Sequence, residues 1–289
     1  MPNTHLLVLL ALALCVALPG PSIAAQSPAA TPANTDSSRL TLERIFNSNE
    51  FASHGVHGVR WSADGAHYTM LERSATASDE SDLVRYDAAT GKRDVLVAAA
   101  RLMSPSDSAA IGIEDYQFSP DGKRLLIFTN SRRVWRQYTR GDYWVMDVAA
   151  GAPRKLGGAE AGSDSLMFAK FSPDGDRVAF VRGNNLYVEN VATGAVTPLT
   201  TDGSRTIING TFDWVYEEEL SLRDGFRWSP DGKHIAYWQL DDSGVRDCLL
   251  LDDTDSLYSY TMPVQYPKAG TTNSAARVGV VSATGGPTQ

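Results

Sequence analysis

Short apolar segments alternate with Gly- and Asp-containing turns along most of the chain. Residues 124–128 (Arg-Leu-Leu-Ile-Phe) and 177–181 (Arg-Val-Ala-Phe-Val) are two such segments. Apolar runs of this length, bounded by turn residues, are typical of β-strands in a packed core. The pattern contains no series of strands alternating with long helices, so it favours an all-β fold.

One turn motif occurs four times, as an aromatic residue, Ser, Pro (Ala in the first copy) and Asp-Gly. The copies are residues 61–65, 118–122, 171–175 and 228–232. Their Asp residues are 57, 53 and 57 positions apart. Pro at the second turn position and Gly at the fourth predict a tight turn between antiparallel strands. The regular spacing indicates a repeat architecture.

A second turn closes most of the repeats, at residues 86–92, 146–151 and 189–194. Two hairpins per repeat give four strands, which is the content of a β-propeller blade. We therefore predict a partial β-propeller of about four blades over residues 39–289. A β-sandwich and a closed four-bladed ring are the alternatives.

The first 25 residues resemble a signal peptide. Residues 6–18 are a thirteen-residue apolar run, which is too short to span a bilayer comfortably. Small residues suited to cleavage follow, although no Lys or Arg precedes the run. Residues 26–38, rich in Ala, Pro, Ser and Thr, are predicted to be a flexible leader. We therefore expect an exported protein, periplasmic or secreted, without a membrane partner.

Composition and charge exclude several kinds of site. The net charge of −8 disfavours a nucleic-acid partner. Signal-peptide cleavage would leave Cys248 as the single cysteine, so no intrachain disulfide is expected. His54 and His57 are not followed by further ligands at metal-site spacing, and the acidic pairs near residues 241 and 252 lack a calcium-loop pattern. No metal or cofactor is predicted.

Residues 211–220 combine three large aromatic residues with three consecutive glutamates. Adjacent like charges repel, so such a run needs a nearby cation or open solvent. The aromatic side chains are expected to pack against the core and to anchor a short helical turn. Two of the acids could then bind a single ammonium group, such as the amino end of a peptide. A solvated acidic turn is the alternative.

Residues 213–219, Asp-Trp-Val-Tyr-Glu-Glu-Glu, resemble the glutamate motif of the dipeptidyl peptidase IV family and match it without a gap. The resemblance covers residues 40–281 and implies the first half of an eight-bladed propeller. It implies that Glu218 and Glu219 bind the ammonium of a peptide with a free N-terminus. Residues 266–270, Tyr-Pro-Lys-Ala-Gly, also resemble a family segment and are predicted to form an extended connection after the fourth blade.

Arg136 follows Trp135 in the part of the chain where family members carry an Arg that binds a substrate carbonyl oxygen. The resemblance implies the same role for Arg136. Arginine suits this role because its guanidinium group stays charged and has several N–H donors. Arg132 and Arg133 are interpreted as surface charges.

The family's activity is that of an exported serine exopeptidase, which removes dipeptides with Pro, or Ala, in second position. No Gly-x-Ser-x-Gly occurs in these 289 residues, and in the family the α/β-hydrolase domain follows the propeller. We therefore expect a chain without catalytic residues, inactive alone, whose partners are the peptide and the missing hydrolase domain. The resemblance allows a homodimer of the full-length form. A non-catalytic periplasmic propeller for binding or scaffolding, and a relative that has lost its hydrolase, are the alternatives.

Overall fold

The computed structural model describes residues 38–51, 58–77, 80–105 and 109–289. It divides into two units, residues 1–55 and 56–289. The first unit contains helix α1 (Leu42–Phe46), whose N-terminus is capped by the Thr41 hydroxyl, 3.2 Å from the Arg44 amide. The predicted signal peptide and nearly all of the predicted leader lie outside the described residues, as do His54 and His57. No helix among the described residues has the length and apolar content to span a bilayer.

The second unit consists of antiparallel sheets in which the turn motif joins the first two strands of each repeat. The first sheet contains β1 (Arg60–Trp61), β2 (His67–Arg73), β3 (Ser81–Asp87) and β4 (Arg93–Val97), in that order. A short 3-10 helix, η1 (Ala99–Arg101), follows it.

The second and third repeats have the same four-strand order. The second contains β5 (Asp115–Phe118), β6 (Arg124–Val134), β7 (Gln137–Asp147) and β8 (Arg154–Lys155). The third contains β9 (Leu166–Phe171), β10 (Arg177–Arg182), β11 (Asn185–Asn190) and β12 (Val196–Pro198). Two residue pairs between β7 and β9 connect the two sheets.

The fourth repeat departs from this plan. It contains β13 (Ile207–Asn209), α2 (Trp214–Leu220), β14 (Phe226–Trp228), β15 (His234–Asp241), β16 (Asp247–Asp252), β17 (Tyr260–Gln265) and β18 (Ala275–Ser282). β15 pairs with β13 and β14 along one edge and with β18 along the other, while β16 and β17 form a separate two-stranded sheet. The prediction that residues 266–270 follow the fourth blade is wrong, because this segment connects β17 to β18 inside the repeat.

The four turns have the predicted geometry. In each, the Gly amide donates to the Ser carbonyl oxygen over 2.8–3.0 Å. The Gly φ angles lie between 65° and 75°, a region in which a side chain would be strained. In the three copies with Pro, the Ser hydroxyl also donates to the Asp carboxylate over 2.5–2.6 Å. The hydrogen bond from Ser119 lowers the pKa of Asp121 to about 2.

Two arginines connect the turn of one repeat to the turn of the next. Arg124 donates through Nη1 to the Gly175 carbonyl oxygen at 2.7 Å, and Arg177 donates through Nη2 to the Gly232 carbonyl oxygen at 2.9 Å. Each arginine is the third residue after the Asp of its own turn. These arginine–turn contacts therefore repeat with the blades.

Three apolar clusters fill the spaces between successive sheets. Leu83 and Val97 of the first sheet pack with Leu125 and Ile127 of the second. Similar clusters lie between the second and third sheets and between the third and fourth. Sheets that pack face to face in chain order are the construction principle of a propeller. The predicted all-β partial propeller with a short helix at the glutamate motif is confirmed.

Candidate functional site

Helix α2 (Trp214–Leu220) carries the glutamates and is capped at both ends. The Asp213 carboxylate accepts a hydrogen bond from the Tyr216 amide at 2.9 Å, as expected of an N-cap residue. At the other end Ser221 adopts a left-handed conformation with φ 56°. Its amide and that of Leu222 donate to the Glu217 and Tyr216 carbonyl oxygens, each at 3.0 Å. The seven-residue helix therefore has defined ends.

The aromatic residues of the motif anchor the helix, as predicted. Phe212 is buried in a small cluster with Ile208 and Leu240. The Tyr216 ring stacks on Phe212 with centroids 5.7 Å apart. The Trp214 ring lies 4.3 Å from the ring of Tyr266. These contacts fix which face of α2 turns inward.

The three glutamates occupy different environments. Glu217 is buried, with 6% of its surface exposed. The side chain of Glu218 is 9% exposed, and Glu219 is exposed to solvent. The structure therefore presents Glu218 at the boundary between protein and solvent, with Glu219 beside it in the helix.

Arg136 reaches this helix from the tip of the β6–β7 hairpin. Val134 pairs with Gln137 across the hairpin, so Trp135 and Arg136 form a two-residue turn. Trp135 has φ 49°, an unfavourable region for a residue with a large side chain. The Arg136 Nε atom lies 2.5 Å from Oε2 of Glu218, while 75% of the Arg136 side chain is exposed. The structure thus brings two of the three predicted site residues into contact.

Glu217 has a place in the site that the sequence analysis did not assign. Burial raises the pKa of its carboxyl group, Arg223 opposes this shift, Glu218 adds to it, and the backbone amide of Arg136 opposes it again. The Arg223 Nε atom is 3.6 Å from Glu217 Oε1, too far for a hydrogen bond. The position of Glu217 three residues after Trp214, on the same helix face, is the signal that could have indicated its burial.

The other sequence candidates lie elsewhere. Arg132 forms an ion pair with Asp164 at 2.7 Å, and Arg133 is exposed. Cys248 is a half-buried residue of β16. Across the ranges that the structure describes, no three His, Cys, Asp or Glu side chains are grouped as a metal site requires.

The arrangement combines two carboxylates with one guanidinium group. Glu218 and Glu219 can accept hydrogen bonds from an ammonium group, because carboxylates form strong charge-assisted hydrogen bonds. Arg136 has further N–H donors, which suit a carbonyl oxygen. The charges and donors of these groups are complementary to an amine and a carbonyl oxygen.

Comparison with known proteins gives consistent similarities. A family profile described as "Dipeptidyl peptidase IV (DPP IV) N-terminal region" matches residues 119–289. A probable dipeptidyl-aminopeptidase B of Chaetomium globosum is 31% identical over 276 residues, which cover 87% of this chain and 30% of that protein. Dipeptidyl aminopeptidase B of Saccharomyces cerevisiae is 35% identical over 175 residues, covering 59% of this chain and 21% of that protein.

Among solved structures, the crystal structure of Porphyromonas gingivalis dipeptidyl peptidase 4 is similar, with a TM-score of 0.72 and 32% sequence identity. The similarity covers 83% of this chain and 33% of that structure. The chain thus spans about a third or less of the length of the relatives that it matches.

Proposed function

The chain belongs to the dipeptidyl peptidase IV family, and from this premise we propose that it is the substrate-binding propeller portion of an exported dipeptidyl aminopeptidase. The whole enzyme, periplasmic or secreted, would release Xaa-Pro or Xaa-Ala dipeptides from peptide N-termini. Its relatives are dipeptidyl aminopeptidases. The serine, acid and base of the reaction would be supplied by a hydrolase domain outside these residues.

The observation that carries the proposal is the contact between Arg136 and Glu218, with Glu219 next to it on α2. A peptide N-terminus has an ammonium group followed, after one carbon atom, by a carbonyl group. In the proposed complex Glu218 and Glu219 accept hydrogen bonds from the ammonium, and Arg136 donates to the carbonyl oxygen. An acylated N-terminus has no positive charge, so it would leave the largely buried Glu218 carboxylate without a cationic partner from the peptide.

Substrate binding exchanges partners at Glu218. The Arg136 guanidinium lies against the Glu218 carboxylate in this structure. The incoming ammonium takes over this carboxylate, and the guanidinium turns to the carbonyl oxygen behind it. Each charged group then keeps a partner, which limits the cost of desolvating the site.

A direct binding measurement tests the proposal without requiring catalysis. The purified chain is titrated with the tripeptide Ala-Pro-Ala, followed by NMR, and with its N-acetylated form as the matched control. Binding of the free-amine peptide with shifts of the Glu218 and Glu219 amides, and no such shifts with the acetylated peptide, is the expected result. Equal binding of both peptides would contradict the proposal.

A non-catalytic binding or scaffold propeller is the second candidate. It is favoured by the exposed apolar side chains of Leu249 and Leu251, which share one face of β16, because exposed apolar patches are typical of protein-binding surfaces. The same titration separates the two candidates, since a scaffold has no reason to distinguish a free amine from an acetylated one.

A further inference from the structure

Asp242 is a buried carboxyl group directly behind the glutamate helix. It follows the last residue of β15, and only 2% of its surface is exposed. Its backbone is fixed, because its amide donates to the Thr206 carbonyl oxygen at 2.7 Å and its carbonyl oxygen accepts from the Gln265 side chain at 2.8 Å. In contrast, the side-chain atom Oδ1 is buried without a hydrogen-bond partner. Such an atom is costly unless a proton or ligand satisfies it.

The neighbour of Asp242 is the N-cap residue of α2. Asp213 is 6% exposed, and both of its carboxylate oxygens accept hydrogen bonds, one from the Tyr216 amide at 2.9 Å and one from the Ser274 hydroxyl at 2.8 Å. Both oxygens of Asp213 therefore already have donors, whereas Oδ1 of Asp242 has none. Two neighbouring buried carboxyl groups cannot both be charged without cost, and a proton would satisfy the unpartnered Oδ1 of Asp242.

Two arginines lie in the surroundings of this pair. Asp213 and Asp242 line a cavity of about 260 Å³ together with Arg140 of β7 and Arg205, which precedes β13. Arg205 is occupied by an ion pair with Asp247. Burial, the neighbouring Asp213 carboxylate and Asp241 together raise the pKa of Asp242 to about 7, and Arg205 opposes the shift.

We propose that Asp242 is a positioning residue for the glutamate site, in which its protonated carboxyl group donates a hydrogen bond to Asp213 and so holds the first turn of α2. The bond links the helix that carries Glu218 and Glu219 to β15, the central strand of the fourth sheet. The expected consequence is tighter peptide binding when Asp242 is protonated, and this consequence rests on the proposed function.

The proposal predicts a pH dependence that does not come from the peptide. Above the pKa of Asp242 a second negative charge develops next to the N-cap, and repulsion between the two carboxylates loosens the first turn. By linkage, peptide binding raises the pKa of Asp242, and each pKa unit of that shift corresponds to about a tenfold change in affinity between low and high pH.

The first test is an NMR titration of the side-chain carboxyl groups in the purified 289-residue chain. We expect a midpoint near pH 7 for Asp242, and the same midpoint for the Tyr216 amide, because that amide is bonded to Asp213. A midpoint near 4 for Asp242, or a Tyr216 amide that does not follow it, would overturn the proposal. This test requires neither a variant nor a ligand.

The second test compares the wild type with Asp242→Asn, since asparagine donates a hydrogen bond and stays neutral at every pH. The dissociation constant of Ala-Pro-Ala is measured for both from pH 5.5 to 8.5, so that titration of the peptide amine cancels in their ratio. We expect the dissociation constant of the wild type, divided by that of the variant, to rise by about fivefold or more from the acidic to the alkaline end of this range. Asp253→Asn, at an exposed position, is the control and should leave the wild-type pH profile unchanged.

The outcomes separate the two proposals. A ratio that is constant with pH overturns the positioning role of Asp242. A wild type that binds no peptide overturns the proposed function, whereas a shared midpoint of Asp242 and Tyr216 near pH 7 would still support the link between β15 and α2. If Asp242→Asn fails to fold, the carboxyl titration of the wild type still decides.

Discussion

The Arg136 Nε atom lies 2.5 Å from Oε2 of Glu218 and connects the hairpin of the second sheet to the helix of the fourth repeat. Neither residue could be assigned to the other from local sequence, because more than eighty positions separate them. The contact places the positive group of the site on the acid that is proposed to bind a substrate ammonium. Five predictions test this arrangement and the fold that supports it.

Replacement of both acids, Glu218→Gln with Glu219→Gln, is expected to abolish measurable binding of Ala-Pro-Ala. The change removes two charge-assisted hydrogen bonds, each of about 1.5–3 kcal/mol, and keeps the size of the side chains. Isothermal titration of the purified chain measures the loss. Glu160→Gln is the matched control, because the Glu160 side chain is 89% exposed and lies in another repeat. An unchanged affinity in the double variant would refute the assigned role.

Replacement of Arg136 should affect two classes of ligand in opposite directions. In Arg136→Gln the internal partner of Glu218 is lost, so a simple alkylammonium ion should bind more tightly than in the wild type. A peptide should bind more weakly, because it loses the donor to its carbonyl oxygen. Competition experiments with both ligands measure the two changes, with Arg133→Gln on the same hairpin as control. If both ligands weaken equally, Arg136 has only a structural role.

Peptide binding should depend on the protonation of the peptide amine. A free α-amino group has a pKa of about 7.7–8.0, so affinity should fall by about tenfold per pH unit well above that value. The measurement is a series of titrations from pH 6 to about 9.5. The Asp242→Asn variant is the useful background, because it lacks the Asp242 carboxyl group, whose titration would otherwise also change the affinity with pH. Affinity that stays constant over this range would show that the ammonium charge is not recognised.

Lys170 should make the stability of the chain increase with pH in alkaline solution. Burial lowers the pKa of Lys170 to about 8, although the ion pair with Asp224 opposes the shift. Between pH 8 and 10.5 the unfolded chain therefore holds a proton that the folded chain has released. By linkage, the free energy of unfolding rises with pH in this window.

The measurement is denaturant unfolding of the wild type and of Lys170→Gln at several pH values. The difference in unfolding free energy, wild type minus variant, should increase from pH 8 to 10.5. Titration of the other lysines and tyrosines is common to both proteins and cancels. A difference that decreases with pH would contradict the lowered pKa.

The arginine–turn contacts should stabilise the fold. Arg124→Gln and Arg177→Gln each remove a charged donor from a main-chain oxygen, so each is expected to lower the free energy of unfolding by about 1.5–3 kcal/mol. Arg177 also lies over the Trp228 ring, 5.3 Å from its centroid, so its loss should be the larger. Lys123→Gln is the control, because the Lys123 side chain is 81% exposed. Variants as stable as the control would show that these contacts contribute nothing.

Much of the fold could be predicted because its turns are encoded locally. Pro fixes φ at one position of the turn and Gly permits the positive φ at another, and three regular repeats follow from these turns. The fourth repeat could not be predicted in the same way. Leu249, Leu250 and Leu251 form a continuous apolar run, which is typical of a buried strand, yet all three are exposed on β16. The burial of a strand depends on which other elements pack against it, and the local sequence of β16 does not determine them.

The site could be predicted only in part. The aromatic residues and the capping Asp213 indicate a short helix, and the resemblance pointed to Glu218, Glu219 and Arg136. Their binding roles remain predictions that the titrations above test. Asp241 and Asp242 are identical in type and adjacent, and the local sequence does not distinguish the one that lies behind the helix. That difference arises from the exact end of β15 and from packing against α2.

The arginine–turn contacts also bear on how such a chain could arise. The acceptor in each contact is the carbonyl oxygen of a glycine, a group that every residue possesses, so this hydrogen bond itself requires the bend of the neighbouring repeat and no particular side chain. A gene segment encoding one blade could therefore be duplicated in tandem, and the two copies would form the arginine–turn hydrogen bond without further substitutions. Later substitutions and insertions could then diversify the copies without removing this contact. The fourth repeat, for example, contains a helix and an additional two-stranded sheet that the second repeat lacks.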